Sequence, residues 1–266
     1  MKELMKKIIK TLTLSTLAVI VVFGLLVGCG GKETSSNKTR PSAKGRILTE
    51  AEKEYLATTT IYYIASFEKD DNESCTDSEK INLLRKDGSL ITKSCKKVYN
   101  ACNMQGTCQI EVQGKKEVLN VDTVIGGMRR FKVITNSACK YGNGARSDYT
   151  KRKFSQMCLD PFYSVAADLS IYQLGDVIFL PDVKGLQLPD GTTHAGYFIV
   201  RDAGGNIKGK GRFDFFTGFY SPSSSANPFT KIKLNGKQTF PRYEHIPASE
   251  ASSIIKERSF PALRAQ

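Results

Sequence analysis

Apolar and polar residues along this chain fall into three regimes. From Thr11 to Val27 the residues are apolar apart from small hydroxyl side chains and Gly24. From Gly30 to about Gly45 the chain is dominated by Lys, Ser, Thr, Asn and Gly, the composition of a flexible linker. Beyond that, short apolar runs alternate with turn residues. Thr49, followed by acidic residues, predicts a short capped helix towards Leu56. Thr58 to Phe67, rich in Thr, Ile and Tyr, predicts a strand. Lys86-Asp87-Gly88 is a hairpin turn, and Gln113-Gly114 joins Gln109–Val112 to Val118–Val121 in the same way. Further strands are expected at Asp176–Leu180, Gly196–Arg201 and Arg212–Phe216. Strand–helix–strand alternation and internal repeats are both missing. The pattern therefore argues for a mainly β chain, a small barrel with short helices, rather than an α/β sheet.

The first regime has the layout of an export signal. Lys2, Lys6, Lys7 and Lys10 precede an apolar stretch that is short for a membrane span, which needs about 20 residues. It ends in Leu26-Val27-Gly28-Cys29, which resembles the lipobox of bacterial lipoproteins. That resemblance implies cleavage before Cys29, lipidation of its thiol and a membrane tether at the cell surface. Gly30 is not the aspartate associated with inner-membrane retention, so the expected location is the periplasmic face of an outer membrane where one exists. The linker would span roughly 20–25 Å.

Seven cysteines less Cys29 leave Cys75, Cys95, Cys102, Cys108, Cys139 and Cys158. An even set in an exported chain reads as a disulfide framework. Six cysteines allow 15 pairings, among which sequence alone does not choose; nearness in the chain favours Cys75–Cys95, Cys102–Cys108 and Cys139–Cys158. No C-x-x-C spacing occurs and only His194 and His245 are present, so no metal site and no cofactor are expected. Loss of residues 1–28 removes four lysines and one glutamate, which lowers the formal charge from +13 to +10. Lipid headgroups and cell-wall carboxylates are the plausible anionic partners; export disfavours nucleic acid. About 200 residues remain, enough for one domain with a real core, and a monomer is expected.

Nucleotide, metalloprotease and serine-hydrolase motifs are missing, so acid–base chemistry falls to carboxylates. An apolar strand delivers Asp202 into Gly204-Gly205, and the chain returns through a strand carrying Asp214. Two carboxylates brought together raise at least one pKa and can poise a general acid near neutrality; an Asp beside Gly is also a common turn cap.

These residues resemble the three-aspartate (3D) domain, a double-psi β-barrel shared with the membrane-bound lytic transglycosylase A family. The likeness runs from Ser164 to Gly218. Val165-Ala166-Ala167-Asp168 resembles the first motif. Asp202-Ala203-Gly204-Gly205-Asn206-Ile207-Lys208-Gly209 resembles the second, with Ala203 in place of Thr and Asn206 in place of Ala. Arg212-Phe213-Asp214-Phe215-Phe216-Thr217-Gly218 resembles the third. Thr60-Ile61-Tyr62-Tyr63 and Gln105-Gly106-Thr107 are similar to T-Y-Y and Q-G-T stretches of relatives.

The resemblance implies a six-stranded double-psi β-barrel over residues 49–247, with disulfide-stapled loops, followed by a tail or short helix at 248–266. It implies a peptidoglycan lytic transglycosylase that cuts between N-acetylmuramic acid and N-acetylglucosamine and leaves 1,6-anhydro ends. Asp214 would be the acid/base, Asp202 its tuning partner, and Asp168 would orient the pair by hydrogen bonds. Lys208 and Arg212 are candidates for binding peptide-stem carboxylates, and Tyr197 and Phe216 for stacking on sugars. The alternative is a non-catalytic, wall-binding or expansin-like lipoprotein, in which Asp214 would face solvent without a neighbouring carboxylate.

Overall fold

The run of β-branched and aromatic residues at 58–67 does not stay in one sheet. In the computed structural model, which describes residues 54–146, 156–236 and 242–257, it splits into β2 (Thr60–Tyr62) and β3 (Ala65–Ser66). β2 joins a large sheet and β3 a smaller one. Between them the Tyr63 amide donates to Gln105 Oε1 and the Ile64 amide to the Gly218 carbonyl. The single predicted strand is thus a hand-over between two sheets. The residues before it are also extended: β1 (Glu54–Tyr55) stands where the capped helix was expected, while Thr49 lies outside the described residues.

The large sheet is completed by β11 (Ser164–Ala166), β12 (Val177–Phe179), β13 (Tyr197–Asp202), β14 (Asp214–Phe216) and β15 (Arg242–Ile246). Its order is β1-β15-β12-β13-β11-β14-β2. β11 runs parallel to β13, and β14 parallel to β2; the other pairs are antiparallel. One face buries Val165, Ile178, Phe198, Val200, Phe213 and Phe215 against Phe229 and Tyr243. The rings meet mostly edge to face, Phe198 on Phe215 at 4.8 Å and Phe213 on Tyr243 at 5.2 Å, the geometry that ring quadrupoles favour. His194 belongs to this core. Its Nδ1 accepts from the Gly196 amide, so its Nε2 carries the proton donated to the Phe162 carbonyl, which describes a neutral, structural imidazole.

The smaller sheet, β3-β6-β7-β8, contains β6 (Thr107–Val112), β7 (Lys115–Ile125) and β8 (Met128–Val133). The turn expected at Gln113-Gly114 is present, and a second hairpin turns at Gly126-Gly127. A hairpin of β4 (Lys80–Leu84) and β5 (Leu90–Cys95) packs beside it, turning at Lys86-Asp87-Gly88 as expected. Of the helices α1 (Lys69–Glu73), α2 (Lys96–Gln105), α3 (Pro228–Lys231) and α4 (Ser252–Glu257), only α2 exceeds two turns. It buries Val98 and Cys102, one turn apart. Gly106 ends α2 in the left-handed conformation at φ 75°, its amide capping the Cys102 carbonyl. α2 lies between β5 and β6, but those strands belong to different sheets, so no parallel crossover forms. A pair of short strands, β9 (Asn143–Arg146) and β10 (Gln156–Cys158), crosses near β13.

The disulfides are Cys75–Cys95, Cys102–Cys108 and Cys139–Cys158, the pairing that nearness in the chain favoured. The chain is thus mainly β, with few short helices and three stapled segments. Residues 1–53, which hold the expected export signal and linker and Cys29, lie outside the described residues, as do those beyond 257. The Cys75–Cys95 bond closes a loop of 20 residues between α1 and the end of β5. Replacing both cysteines by alanine is expected to lower stability by about 3 kcal/mol, read as a lower midpoint in urea unfolding; an unchanged midpoint would contradict it.

Candidate active site

The site begins with an irregularity in β13. Val165 pairs with Val200, but the next residue of β11, Ala166, pairs with Asp202, so Arg201 is an extra residue. Such a bulge breaks the alternation of the strand and re-aims the next side chain. Val200 faces the aromatic core; strict alternation would send Asp202 the same way. The bulge instead sets Asp202 level with Ala166, which pairs on its other side with Asp214, which pairs with Thr60. Asp202, Ala166, Asp214 and Thr60 form one row across four strands. Strands lie about 4.8 Å apart, and only the methyl of Ala166 stands between the carboxylates. Both carboxylates line a groove of about 560 Å³ with Ala166 at its floor.

The bulge is clamped from behind. Arg201 is fully buried, its guanidinium 3.7 Å from Asp160 and bonded to the Cys158 carbonyl. Gly144 of β9 passes so close that a Cβ there would sit 1.9 Å from the Arg201 carbonyl oxygen, a contact only glycine permits.

Each aspartate of the three motifs has its own environment. Asp214, half-buried, accepts a hydrogen bond from Thr60 Oγ1 at 2.7 Å, and that hydroxyl accepts from Arg212 Nη2 at 2.9 Å. Burial raises the Asp214 pKa above the usual carboxylate range; the Thr60 bond and the Arg212 charge partly offset it. Asp202 is pushed up to about 7, chiefly by burial; the Ala203 amide that donates to it and the nearby Tyr62 hydroxyl partly offset this, and Asp214 adds repulsion. The Tyr62 hydroxyl is buried beside Asp202, just outside strict hydrogen-bonding geometry. Burial first, and then both carboxylates, hold that phenol well above its ordinary pKa. Asp168 goes the other way, to about 2, because the Gly209 amide and the Ser170 hydroxyl and amide all donate to it.

The facing wall comes from the smaller sheet. Met104, Gln105, Gly106 and Thr107 line the groove from the end of α2, inside the loop closed by Cys102–Cys108. Asn120 Nδ2 donates to the Gly106 carbonyl and to Thr107 Oγ1, while Asn143 donates to Asn120 Oδ1. Arg129 lines the same side.

The expected residues divide accordingly. Asp202 and Asp214 meet in the groove. Asp168 stands outside its lining and spends its hydrogen bonds on Ser170 and Gly209, so it pins the 203–209 loop rather than touching the pair. Lys208 is exposed, 3.6 Å from Asp168, and Arg212 sits behind Thr60. Tyr197 packs on Phe179 at 4.6 Å, away from the groove. Phe216 is 1 % exposed beneath Tyr62, so neither ring offers a face to a sugar in this groove. Thr60, Tyr62, Asn120, Asn143 and Arg129 were not among the expected site residues. The T-I-Y-Y and Q-G-T stretches flagged Thr60, Tyr62 and the 105–107 segment; nothing in the sequence flagged the asparagines. Among the described residues, no three His, Cys, Asp or Glu side chains gather as a metal site.

A carboxyl whose folded pKa lies near 7 against 3.8 unperturbed binds its proton more tightly in the folded state. Stability is therefore unpenalised below pH 4 and falls as pH rises through about 7. Asp202→Asn removes that penalty, so its Tm should exceed the parent's by about 5 °C at pH 8 and match it near pH 4. A lower Tm at pH 8 in differential scanning calorimetry would refute the buried-carboxylate assignment.

Residues 163–226 match the family model described as the 3D domain. No curated protein matches the chain. Among solved structures, the chain is similar to Escherichia coli MltA with bound chitohexaose at 13 % identity and TM-score 0.44, over 71 % of each chain. It is similar to the membrane-bound lytic murein transglycosylase from Agrobacterium tumefaciens at 14 % identity and TM-score 0.44, over 74 % of this chain and 75 % of that one. The lytic transglycosylase LtgG of Burkholderia pseudomallei matches at 12 % identity and TM-score 0.34, over 70 % of each. The motif aspartates at 168, 202 and 214 all fall in the segment, residues 163–226, that matches the 3D domain.

Proposed function

We propose that the protein is a peptidoglycan lytic transglycosylase. The observation that carries this reading is the placement of Asp202 and Asp214 in one groove with both pKa values raised. A carboxyl that keeps its proton near neutrality is the general acid that glycosidic cleavage needs. In this reading Asp214 protonates the glycosidic oxygen between N-acetylmuramic acid and N-acetylglucosamine. As carboxylate it then takes the proton of the muramyl C6 hydroxyl, whose oxygen closes on C1 to give the 1,6-anhydro end. Thr60, held by Arg212, fixes the Asp214 carboxylate; Asp202 keeps a proton in the groove and Tyr62 shields it from water. Gln105, Thr107, Asn120 and Asn143 suit sugar hydroxyls and N-acetyl groups. A purely wall-binding protein would need no pair of desolvated carboxylates at its groove floor.

The parallel pairs β11–β13 and β14–β2 support a six-stranded double-psi barrel as the finer description of the large sheet. Lipidation at Cys29 would keep this groove within reach of the wall beside a membrane.

Purified protein should release from sacculi muropeptides one water lighter than hydrolysis products, seen by mass spectrometry. Asp214→Ala should lower that rate about a thousandfold, and Asp202→Asn about 10–100-fold. The parent's rate should fall as pH rises past about 7, as the pair loses its proton; Asp202→Asn should move that break to lower pH by removing a like charge. Intact sacculi after incubation with folded protein, or full activity in Asp214→Ala, would overturn the proposal.

A further inference from the structure

The groove has opposite electrical characters on its two sides. Asp202 and Asp214 lie on the wall from the large sheet, and Arg129 on β8 is the one cationic side chain lining the groove among the described residues. Its side chain is half-buried and has no hydrogen bond or ion pair there. Elsewhere in the fold Arg212 holds Thr60, the fully buried Arg201 meets Asp160, and Lys132 stands 3.6 Å from Asp122, while Arg130, next along β8, also leaves its Nε without a partner. A guanidinium partly removed from water without an acceptor is unfavourable unless a ligand supplies one. Arg129 is also held in place. It pairs with Val124 across the β7–β8 hairpin, and its Nη1 lies 3.8 Å from where a Cβ on Gly106 would be, over the bare end of α2.

The surroundings describe the ligand further. Met104, 76 % exposed, lines the groove beside Gly106, and Val124, 59 % exposed, is the cross-strand partner of Arg129. An unpartnered guanidinium flanked by two exposed apolar side chains fits a short peptide with a free carboxylate and small aliphatic side chains. A peptide-free murein strand offers only the lactyl carboxylate of N-acetylmuramic acid, held against the sugar ring, and lacks the extended run of side chains that a stem peptide presents. Resting on the transglycosylase reading, we infer that this end of the groove is a stem-peptide subsite. Arg129 takes a peptide carboxylate in bidentate fashion, Met104 and Val124 cover alanine methyls, and the enzyme thereby prefers peptide-bearing strands.

The inference is tested with the whole mature protein by two measurements. Isothermal titration with the free stem tripeptide, and with the same peptide amidated at its carboxylates, reads the subsite without any catalysis. The parent should bind the carboxylate form, Arg129→Gln should weaken it about 10–100-fold, Arg129→Lys should restore part of the loss, and the amidated peptide should bind all three equally weakly. Equal binding of the two peptides by the parent, or full affinity in Arg129→Gln, overturns the inference. The second measurement is the ratio of cleavage rates on peptide-bearing and amidase-stripped glycan. That ratio should fall about tenfold in Arg129→Gln, chiefly through KM; an unchanged ratio overturns a role in strand preference. If the parent cleaves neither glycan, the catalytic reading fails, and the tripeptide titration still decides whether the subsite exists.

Discussion

Everything in the groove depends on one extra residue in β13. A regular strand would pair Arg201 with Ala166 and turn Asp202 towards the aromatic core, where burial disfavours its charge. The bulge places a fully buried arginine behind the sheet and a carboxylate in front of it. It holds because both sides are fixed: Asp160 and the Cys158 carbonyl take the guanidinium, and Gly144 lets β9 lie against the Arg201 carbonyl. Cys158 is itself tied to Cys139, so a disulfide braces the segment that receives Arg201. The geometry of the carboxylate pair is thus a backbone property rather than a rotamer choice, and backbone placement is what keeps a two-carboxylate site within narrow tolerances.

That placement is thermodynamically unfavourable. Two half-buried carboxylates in one row lose hydration and, to a lesser extent, repel each other, which pushes the Asp202 pKa up to about 7. Asp168 shows the opposite arrangement in the same domain: three donors converge on it and hold it near 2. Its contribution to folding is present above its unperturbed pKa and is lost only as pH falls towards 2. One motif aspartate therefore stabilises the loop that the other two need, and the three separate into one anchor and one strained pair.

Much of this was legible in the chain because residue type and spacing carry it. The three aspartates, the Gly-Gly turn and the two hairpins could be placed from local chemistry, and the short cysteine separations were compatible with local closure. What could not be read was anything decided by which face a strand presents. Phe216 and Tyr197 sit in alternating runs that look the same whether the ring meets solvent or core, and the bulge at Arg201 resets the alternation without a mark in the sequence. Asp168 matched a motif and was assigned to the site on that ground, yet its hydrogen bonds go to the adjacent loop. The division of 58–67 between two sheets depends on acceptors supplied by Gln105 and Gly218, which lie far along the chain. Asn120, Asn143 and Arg129 come from a part of the chain with no motif, and only the pairing of the smaller sheet brings them to the groove.

The hand-over at residues 62–65 also explains why two sheets make one groove. β2 carries Thr60 and Tyr62 on the carboxylate side, and three residues later β3 begins the sheet that bears Asn120 and Arg129. A connection that short leaves the two walls little freedom to separate at that point. The Tyr63 amide bonded to Gln105 adds a second tie, into the loop that Cys102–Cys108 closes. The wall that meets the substrate's polar groups is therefore fastened to the strand that orients the acid. A change at either one, such as loss of the Gln105 acceptor or of the Thr60 hydroxyl, should be felt at the other.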